Sequence, residues 1–176
     1  RLLYNGSLTY PPNAVAVAWF VQHILPGIVS EVPGAHLVVT GKHGAEDAAR
    51  YAANPRVILT GFVGDMRPEL AKAVVCAVPL RSGGGTRLKI LEAWAAGLSV
   101  VSTSIGAVGL AGSADGEHLL LADDAEAFAG ACVRLLTDAA LAARLARNAR
   151  ALAEQRYDWA MLAAQVLGVL RTVHQP

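Results

Sequence analysis

The sequence predicts an α/β fold, a Rossmann-like doubly wound parallel sheet. Three observations carry this expectation. Apolar runs such as HLVVT, RVILT and VVCAV are continuous rather than alternating, as strands buried on both faces must be. Longer stretches with helical spacing separate them, so neighbouring strands are joined by crossovers rather than hairpins. Gly or Pro closes most of these segments, where the chain must turn. Right-handed crossovers then wind the sheet outward in both directions.

Leu2 to Asn5 reads as the first strand, closed by Gly6 and the polar loop Ser7 to Asn13. Asn13 is placed to cap a helix over Ala14 to Leu25, which the stretch after Pro26 extends until Pro33-Gly34 breaks it. His36 to Thr40 is the second strand, Glu46 to Ala53 a short helix, and Arg56 to Thr60 the third strand. Gly61 to Asp65 turns into a small helix around Pro68 to Lys72, and Val74 to Val78 is the fourth strand, stopped by Pro79. A glycine loop then leads into a helix from about Thr86 to Ala96, followed by a fifth strand, Ser99 to Thr103. After a Gly-rich loop, Ser104 to Gly116, come a short strand at His118 to Leu121 and two amphipathic helices, Asp124 to Thr137 and Ala139 to Gln155. A last helix is expected from Tyr157 to Val173.

Composition narrows the classes. At 176 residues, 54% hydrophobic and 16% charged, the chain has ample material for a core and is not disordered. A net charge of +1 gives no electrostatic reason to expect nucleic acid or an acidic membrane as partner. The longest apolar runs, Ala14 to Phe20 and Ala93 to Val101, are broken by Gln22 and His23 or by Gly97 and Ser99, so no transmembrane segment is expected. No signal peptide is expected from the opening RLLYNG, and a start at the first residue of a core strand reads as a piece cut from something larger. Cys76 and Cys132 stand far apart in apolar segments and read as buried free thiols of a reducing compartment.

In such sheets ligands sit at the carboxyl ends of the strands. Three loops are therefore candidates: Gly6 to Asn13, Gly61 to Asp65 and Pro79 to Thr86. The last of these opens SGGGTRLKILEAWAAG, with glycines at 83, 84 and 85 ahead of Arg87 and Lys89. Cations at a helix N-terminus face the positive end of the dipole and cost about 0.3–1 kcal/mol each unless an anion is present. A phosphate or diphosphate would turn that cost into a binding determinant. The other reading is a tight turn with both cations in solvent. Neither a Walker loop nor GxGxxG is present. Glu92, inside the apolar run ILEAWAA, is either a surface partner of Lys89 or a carboxylate facing the pocket, able to accept hydrogen bonds from sugar hydroxyls. Asp123 and Asp124 lead into a helix and read as a cap rather than metal ligands, and His23, His36, His43, His118 and His174 show no ligand spacing.

The run PLRSGGGTRLKILEAWAAGLSVVSTSIGAVGL resembles the donor-binding region of retaining glycosyltransferases with the GT-B fold, in particular glycosyltransferase family four. YNGSLTYPPN, VILTGFVGDM, GEHLLLADDAEAFA and RYDW support it in the expected order over nearly the whole chain. The resemblance implies that residues 1–176 form one lobe, the C-terminal nucleotide-sugar-binding domain, whose last helix packs toward a missing N-terminal domain. It implies transfer of a sugar from a nucleoside diphosphate sugar with retention, without a cofactor and without a metal. Carried over by position, Gly6, Ser7, Arg81, Gly84, Gly85, Thr86, Arg87, Leu88 and Lys89 would bind the diphosphate, Glu92 the ribose, and Phe62 and Val63 the nucleobase. Two departures stand out. The first glutamate of the family's paired-glutamate motif would fall near Gly84, and Ser7 to Asn13 lacks the Arg and Lys that many members carry there. The GGGTRLK cations are placed to replace them. A sugar or lipid-linked acceptor, a cytoplasmic location and membrane association through the other domain are all compatible with this reading. Two competitors remain open: a Rossmann-like module that binds a nucleotide or phosphate without chemistry, and a scaffold lobe docking a partner through Met161 to Leu170.

Overall fold

A computed structural model describes residues 1–161, 163, 166, 167 and 170. Its centre is a six-stranded, wholly parallel sheet: β1 (Leu2–Asn5), β2 (Leu37–Thr40), β3 (Val57–Gly61), β4 (Val75–Val78), β5 (Ser99–Ser102) and β6 (Leu120–Leu121). The strand order is β3-β2-β1-β4-β5-β6, so the winding reverses between β1 and β4. That reversal opens a crevice at the carboxyl edge, where the loops after β1 and β4 diverge. Every residue of β2, β4 and β5 is buried, as the continuous apolar runs require. The doubly wound fold is as the sequence predicts.

The helix after β1 differs from expectation at its start. It starts earlier, as α1 (Pro11–Trp19), because two prolines at its first positions are pre-set for a first turn. Asn13 therefore does not cap it; it lies inside the first turn, buried. As expected, the helix continues past Pro26; it does so through a π-helical turn, Phe20–Ile24, into α2 (Leu25–Glu31). Pro26 offers no N–H to the carbonyl of Gln22, which accounts for the widened turn just before it. The continuous helix Pro11–Glu31 has 21 residues and a mean hydropathy of 1.3, enough to cross a membrane by length and composition alone. Gln22 and His23 do not interrupt it as the sequence reading supposed. Here its inner side, with Ala16, Val17, Phe20, Ile24 and Ile28, is buried in the core, and α2 packs on the later helix Ala125–Thr137.

The remaining helices are α3 (Ala45–Tyr51), α4 (Arg67–Lys72), α5 (Leu88–Ala95), α6 (Ser104–Ala107), α7 (Ala125–Thr137) and α8 (Ala139–Arg156). α6 occupies the start of the stretch expected to be loop. Its N-cap is Thr103, whose Oγ1 accepts from the N–H of Gly106 at 3.0 Å. Asp123 accepts from both the N–H and the hydroxyl of Ser104 at 2.7 Å. Asp124 caps α7 by accepting from the N–H of Ala127 at 2.8 Å, so both acids are engaged at helix starts. Cys76 and Cys132 are buried free thiols, and burial pushes both thiols up. The last predicted helix, 157–173, lies partly outside the described residues, as does His174; residues 159–161 are helical.

The carboxyl edge is stitched together by backbone. Gly6 donates to the carbonyl of Thr40 at 2.9 Å, Leu8 to Lys42 at 2.8 Å, and Gly41 to Gly61 at 2.8 Å. Gly41 has φ of +118°, and a Cβ there would lie 2.7 Å from the Gly6 carbonyl carbon and the Ser7 nitrogen. Both the conformation and the space demand glycine. Gly41→Ala should destabilise the protein by about 2–4 kcal/mol in urea unfolding. A cost under about 0.5 kcal/mol would show that the β1 loop does not need this close approach.

Candidate functional site

The loops after β1 and β4 meet α5 in a cleft of about 210 Å³ lined by Gly6, Asn13, Ser82, Gly83, Gly84, Thr86, Arg87 and Lys89, among others. This is the crevice that the strand reversal creates. The third candidate loop, Gly61 to Asp65, contributes nothing to its lining.

Arg87 is the residue around which the glycine loop is built. It is 8% exposed and stands at the N-cap of α5. Its guanidinium donates to the carbonyls of Gly84 (3.3 Å) and Gly83 (3.5 Å), and across to Ile105 in α6 (2.8 Å). Its Nε is buried without a partner. The charge is therefore committed to the loop, not extended as a free arm. The consequence lies in the loop's other half: with the Gly83 and Gly84 carbonyls held by Arg87, the backbone N–H groups from Ser82 to Thr86 donate to no acceptor among the described residues. Gly83 and Gly85 have φ of +110° and +92°, a conformation in which successive N–H groups of a turn can form an anion-binding concavity.

Lys89, two residues along, is held from below. Its Nζ donates to the hydroxyl of Tyr4 at 3.0 Å and to Oδ1 of Asn13 at 3.1 Å, and lies 4.3 Å from the centroid of the Tyr4 ring. Tyr4 in turn donates to Asn13 Oδ1 at 2.6 Å, and Asn13 Nδ2 donates to the carbonyl of Ser7 at 2.8 Å. Burial lowers the Lys89 ammonium to about 8; Arg87 acts in the same direction, while Cys76 and Glu92 oppose it. Gly6 completes the pocket, since a Cβ there would stand 2.8 Å from Asn13 Nδ2 and 3.1 Å from Lys89 Nζ.

Glu92 is exposed, and no Lys89–Glu92 ion pair forms among the described residues. Its Oε2 instead accepts from Nδ2 of Asn5, the last residue of β1, at 2.8 Å, and Asn5 Oδ1 accepts from Thr40 at 3.1 Å. This leaves Glu92 at the carboxyl edge with its second oxygen unoccupied among the described residues. Ser7 spends its hydroxyl on Thr9 and the Lys42 carbonyl, so only its backbone is available to a ligand. Leu88 begins α5, 57% exposed. Gly84 and Gly85 have nothing within 4 Å of an added Cβ. The structure does not bring every predicted residue together. Arg81 stacks on Trp19 at 5.1 Å and lines a separate hollow with Thr103, Ser104 and Asp123. Phe62, 74% exposed, and the partly exposed Val63 follow β3, two strands from β1.

Tyr4, Asn5 and Asn13 have side-chain roles in the site that the sequence reading did not assign. The signal for Asn13 is present in the sequence, in that Pro11-Pro12 already starts the helix and leaves an asparagine inside its first turn without a capping task. Tyr4 and Asn5 offer no local signal, since their partners lie 9 and 87 residues away.

Comparison with known proteins identifies the family. Residues 1–138 match the family model described as glycosyl transferases group 1. The phosphatidyl-myo-inositol mannosyltransferase of Mycobacterium leprae is 33% identical over 179 residues, covering 98% of this chain and 46% of its own. The lipopolysaccharide core biosynthesis glycosyltransferase LpsE of Rhizobium meliloti is 35% identical over 149 residues, covering 78% of this chain and 43% of its own. Among solved structures, Anabaena HepE in complex with UDP and glucose superposes with a TM-score of 0.76 at 22% identity, covering 97% of this chain and 48% of that one. The chain thus spans about half the length of the relatives it matches.

A buried lysine whose ammonium is disfavoured weakens the fold. Because folding lowers its value from 10.5 to about 8, the cost is present in full below pH 8 and vanishes as pH rises toward 10.5. Lys89→Met should therefore raise stability by about 1–3 kcal/mol in neutral solution, with the gain fading above pH 8. Thermal melts across that range would show it; a variant less stable than wild type at neutral pH would contradict it.

Proposed function

The chain belongs to the glycosyl transferases group 1, and on that premise we propose that it is the donor-binding lobe of a GT-B glycosyltransferase, taking a nucleoside diphosphate sugar in the cleft between the β1 loop and the glycine loop. The observation that carries this is the division of labour at the glycine loop: Arg87 occupies the Gly83 and Gly84 carbonyls, the N–H groups stay free, and the Lys89 ammonium lines the same cleft. Such a site recognises an oxyanion.

The chemistry suited to it is electrostatic. In transfer from a nucleoside diphosphate sugar the glycosidic bond to the diphosphate breaks and charge grows on the departing phosphate oxygens. Amides and cations already aimed at that position need no reorganisation, which is how preorganised dipoles lower a barrier. The N-terminus of α5 adds its partial positive charge. Within this proposal Gly6, Ser7, Gly84, Gly85, Thr86 and Leu88 offer backbone, and Lys89 offers charge. Arg87 acts by shaping the loop, Glu92 accepts from the ribose hydroxyls beside Asn5, and Phe62 and Val63 lie against the base. Arg81, stacked on Trp19 in the neighbouring hollow, is left out of this set. The relatives' names and HepE's bound UDP support a nucleotide-sugar donor, and the chain's half-length coverage supports a second lobe that brings the acceptor. Retention of configuration, a donor site without metal and a cytoplasmic setting belong to the same proposal through the family relationship.

The second reading, a binding module without chemistry, is favoured by one observation. By the resemblance the family motif's first glutamate would fall near Gly84, and nothing lies within 4 Å of a Cβ added there. Turnover by the whole protein separates the two. For the site itself, calorimetric titration with UDP, GDP, ADP and inorganic pyrophosphate is decisive. One nucleotide should bind selectively, and Glu92→Gln should weaken it about tenfold, the worth of one charge-assisted hydrogen bond, while leaving pyrophosphate within about twofold. Lys89→Met should weaken nucleotide and pyrophosphate alike. Equal loss of both ligands on Glu92→Gln would remove the ribose assignment.

A further inference from the structure

We propose that Tyr4 and Asn13 are positioning residues that hold Lys89 beneath Gly6 as a proton-dependent anchor, so that the cleft grips a diphosphate only while Lys89 keeps its proton. The inference rests on reading the cleft as a diphosphate site and goes beyond it by assigning two residues and a pH dependence.

The hydrogen bonds determine one another. Asn13 Nδ2 is committed to the Ser7 carbonyl at 2.8 Å, so the amide has one orientation and its Oδ1 must face Tyr4 and Lys89. Tyr4 gives its only hydroxyl proton to that Oδ1, so its oxygen can serve Lys89 solely as an acceptor. Both partners of Nζ are thus acceptors, and the ring below presents its negative face at 4.3 Å. These contacts favour the ammonium and oppose the burial that disfavours it. Of the three N–H groups of Lys89, two are taken, and the third has no acceptor among the described residues. Lys89 lines the cleft, and with no side chain on Gly6 the ammonium stands immediately under the β1 loop.

The surroundings make this proton sensitive. From β1 the group facing Lys89 is Tyr4, whose phenol is pushed far up by burial; from β4 it is the Cys76 thiol, also raised by burial. α5 contributes Arg87 and Glu92, and α1 contributes the uncharged Asn13. Burial brings Lys89 to about 8, close enough to neutrality for a bound anion to decide its state. A diphosphate beside it favours the charged form, so binding above pH 8 must take up a proton.

The test is UDP affinity against pH for the full chain and for two variants, Tyr4→Phe and Asn13→Leu. Wild-type affinity should fall about tenfold per pH unit well above the Lys89 value. Tyr4→Phe keeps the ring and removes one acceptor, so Lys89 loses its proton at lower pH. At about pH 9 the variant should bind about threefold more weakly than wild type, yet within about twofold near pH 7, for a half-unit shift. Asn13→Leu should move the same limb in the same direction, and circular dichroism checks that it folds. Equal weakening of Tyr4→Phe at both pH values would mark a merely structural role and overturn the proposal. So would an alkaline limb that neither variant displaces. If wild type bound neither UDP nor pyrophosphate at any pH, the diphosphate reading itself would fall, and this inference with it.

Discussion

Two cations at the N-terminus of one helix are the constraint that the rest of the site answers. α5 already presents partial positive charge there, and Arg87 and Lys89 are both largely withdrawn from water. Left alone, such charges would be neutralised or expelled. Each is retained by a different device. Arg87 is satisfied by carbonyls, which bend the glycine loop around it and tie that loop to α6 through Ile105. Lys89 is satisfied by side chains from β1 and α1, which tie α5 to the other half of the sheet. The two cations are thus the fasteners of the cleft as well as its charge. A loop shaped only for a tight turn would need neither.

Much of the fold is legible along the chain because its causes are local. Strands of four residues buried on both faces leave no room for alternation, and β1 and β4 appear in the sequence within one residue of their observed bounds. Errors arise where a stronger local rule competes. Asn13 has the chemistry of a cap, but Pro11 and Pro12 begin the helix before it, and an asparagine inside a first turn must find other partners. α6 is hidden by glycines that usually mark loops; a threonine cap and a four-residue helix leave a faint trace. Glu92 reads correctly as distinct from its neighbours, yet its partner Asn5 comes from 87 residues away, which no spacing rule reaches. The burial of Arg87 is not legible along the chain for the same reason. Its decisive contact is to a carbonyl in another element, 18 residues on.

The absence of basic residues from the β1 loop finds its explanation in the packing below that loop. Nothing between Ser7 and Asn13 could meet an anion with charge. Lys89 lies under Gly6, close enough that any side chain at position 6 would collide with it or with Asn13. A cation reaching up from α5 and a β1 loop free of side chains at that point are therefore a single solution. The loop must be glycine because the lysine is beneath it, and the lysine can serve the cleft because the loop is glycine. Asn13 closes the argument. One amide group fixes the Ser7 carbonyl with its nitrogen and the lysine with its oxygen, so the backbone that would meet a phosphate and the charge that would neutralise it are held by the same side chain. Disturbing either moves both, which makes the β1 loop and α5 one functional unit although 76 residues of chain separate Asn13 from Lys89.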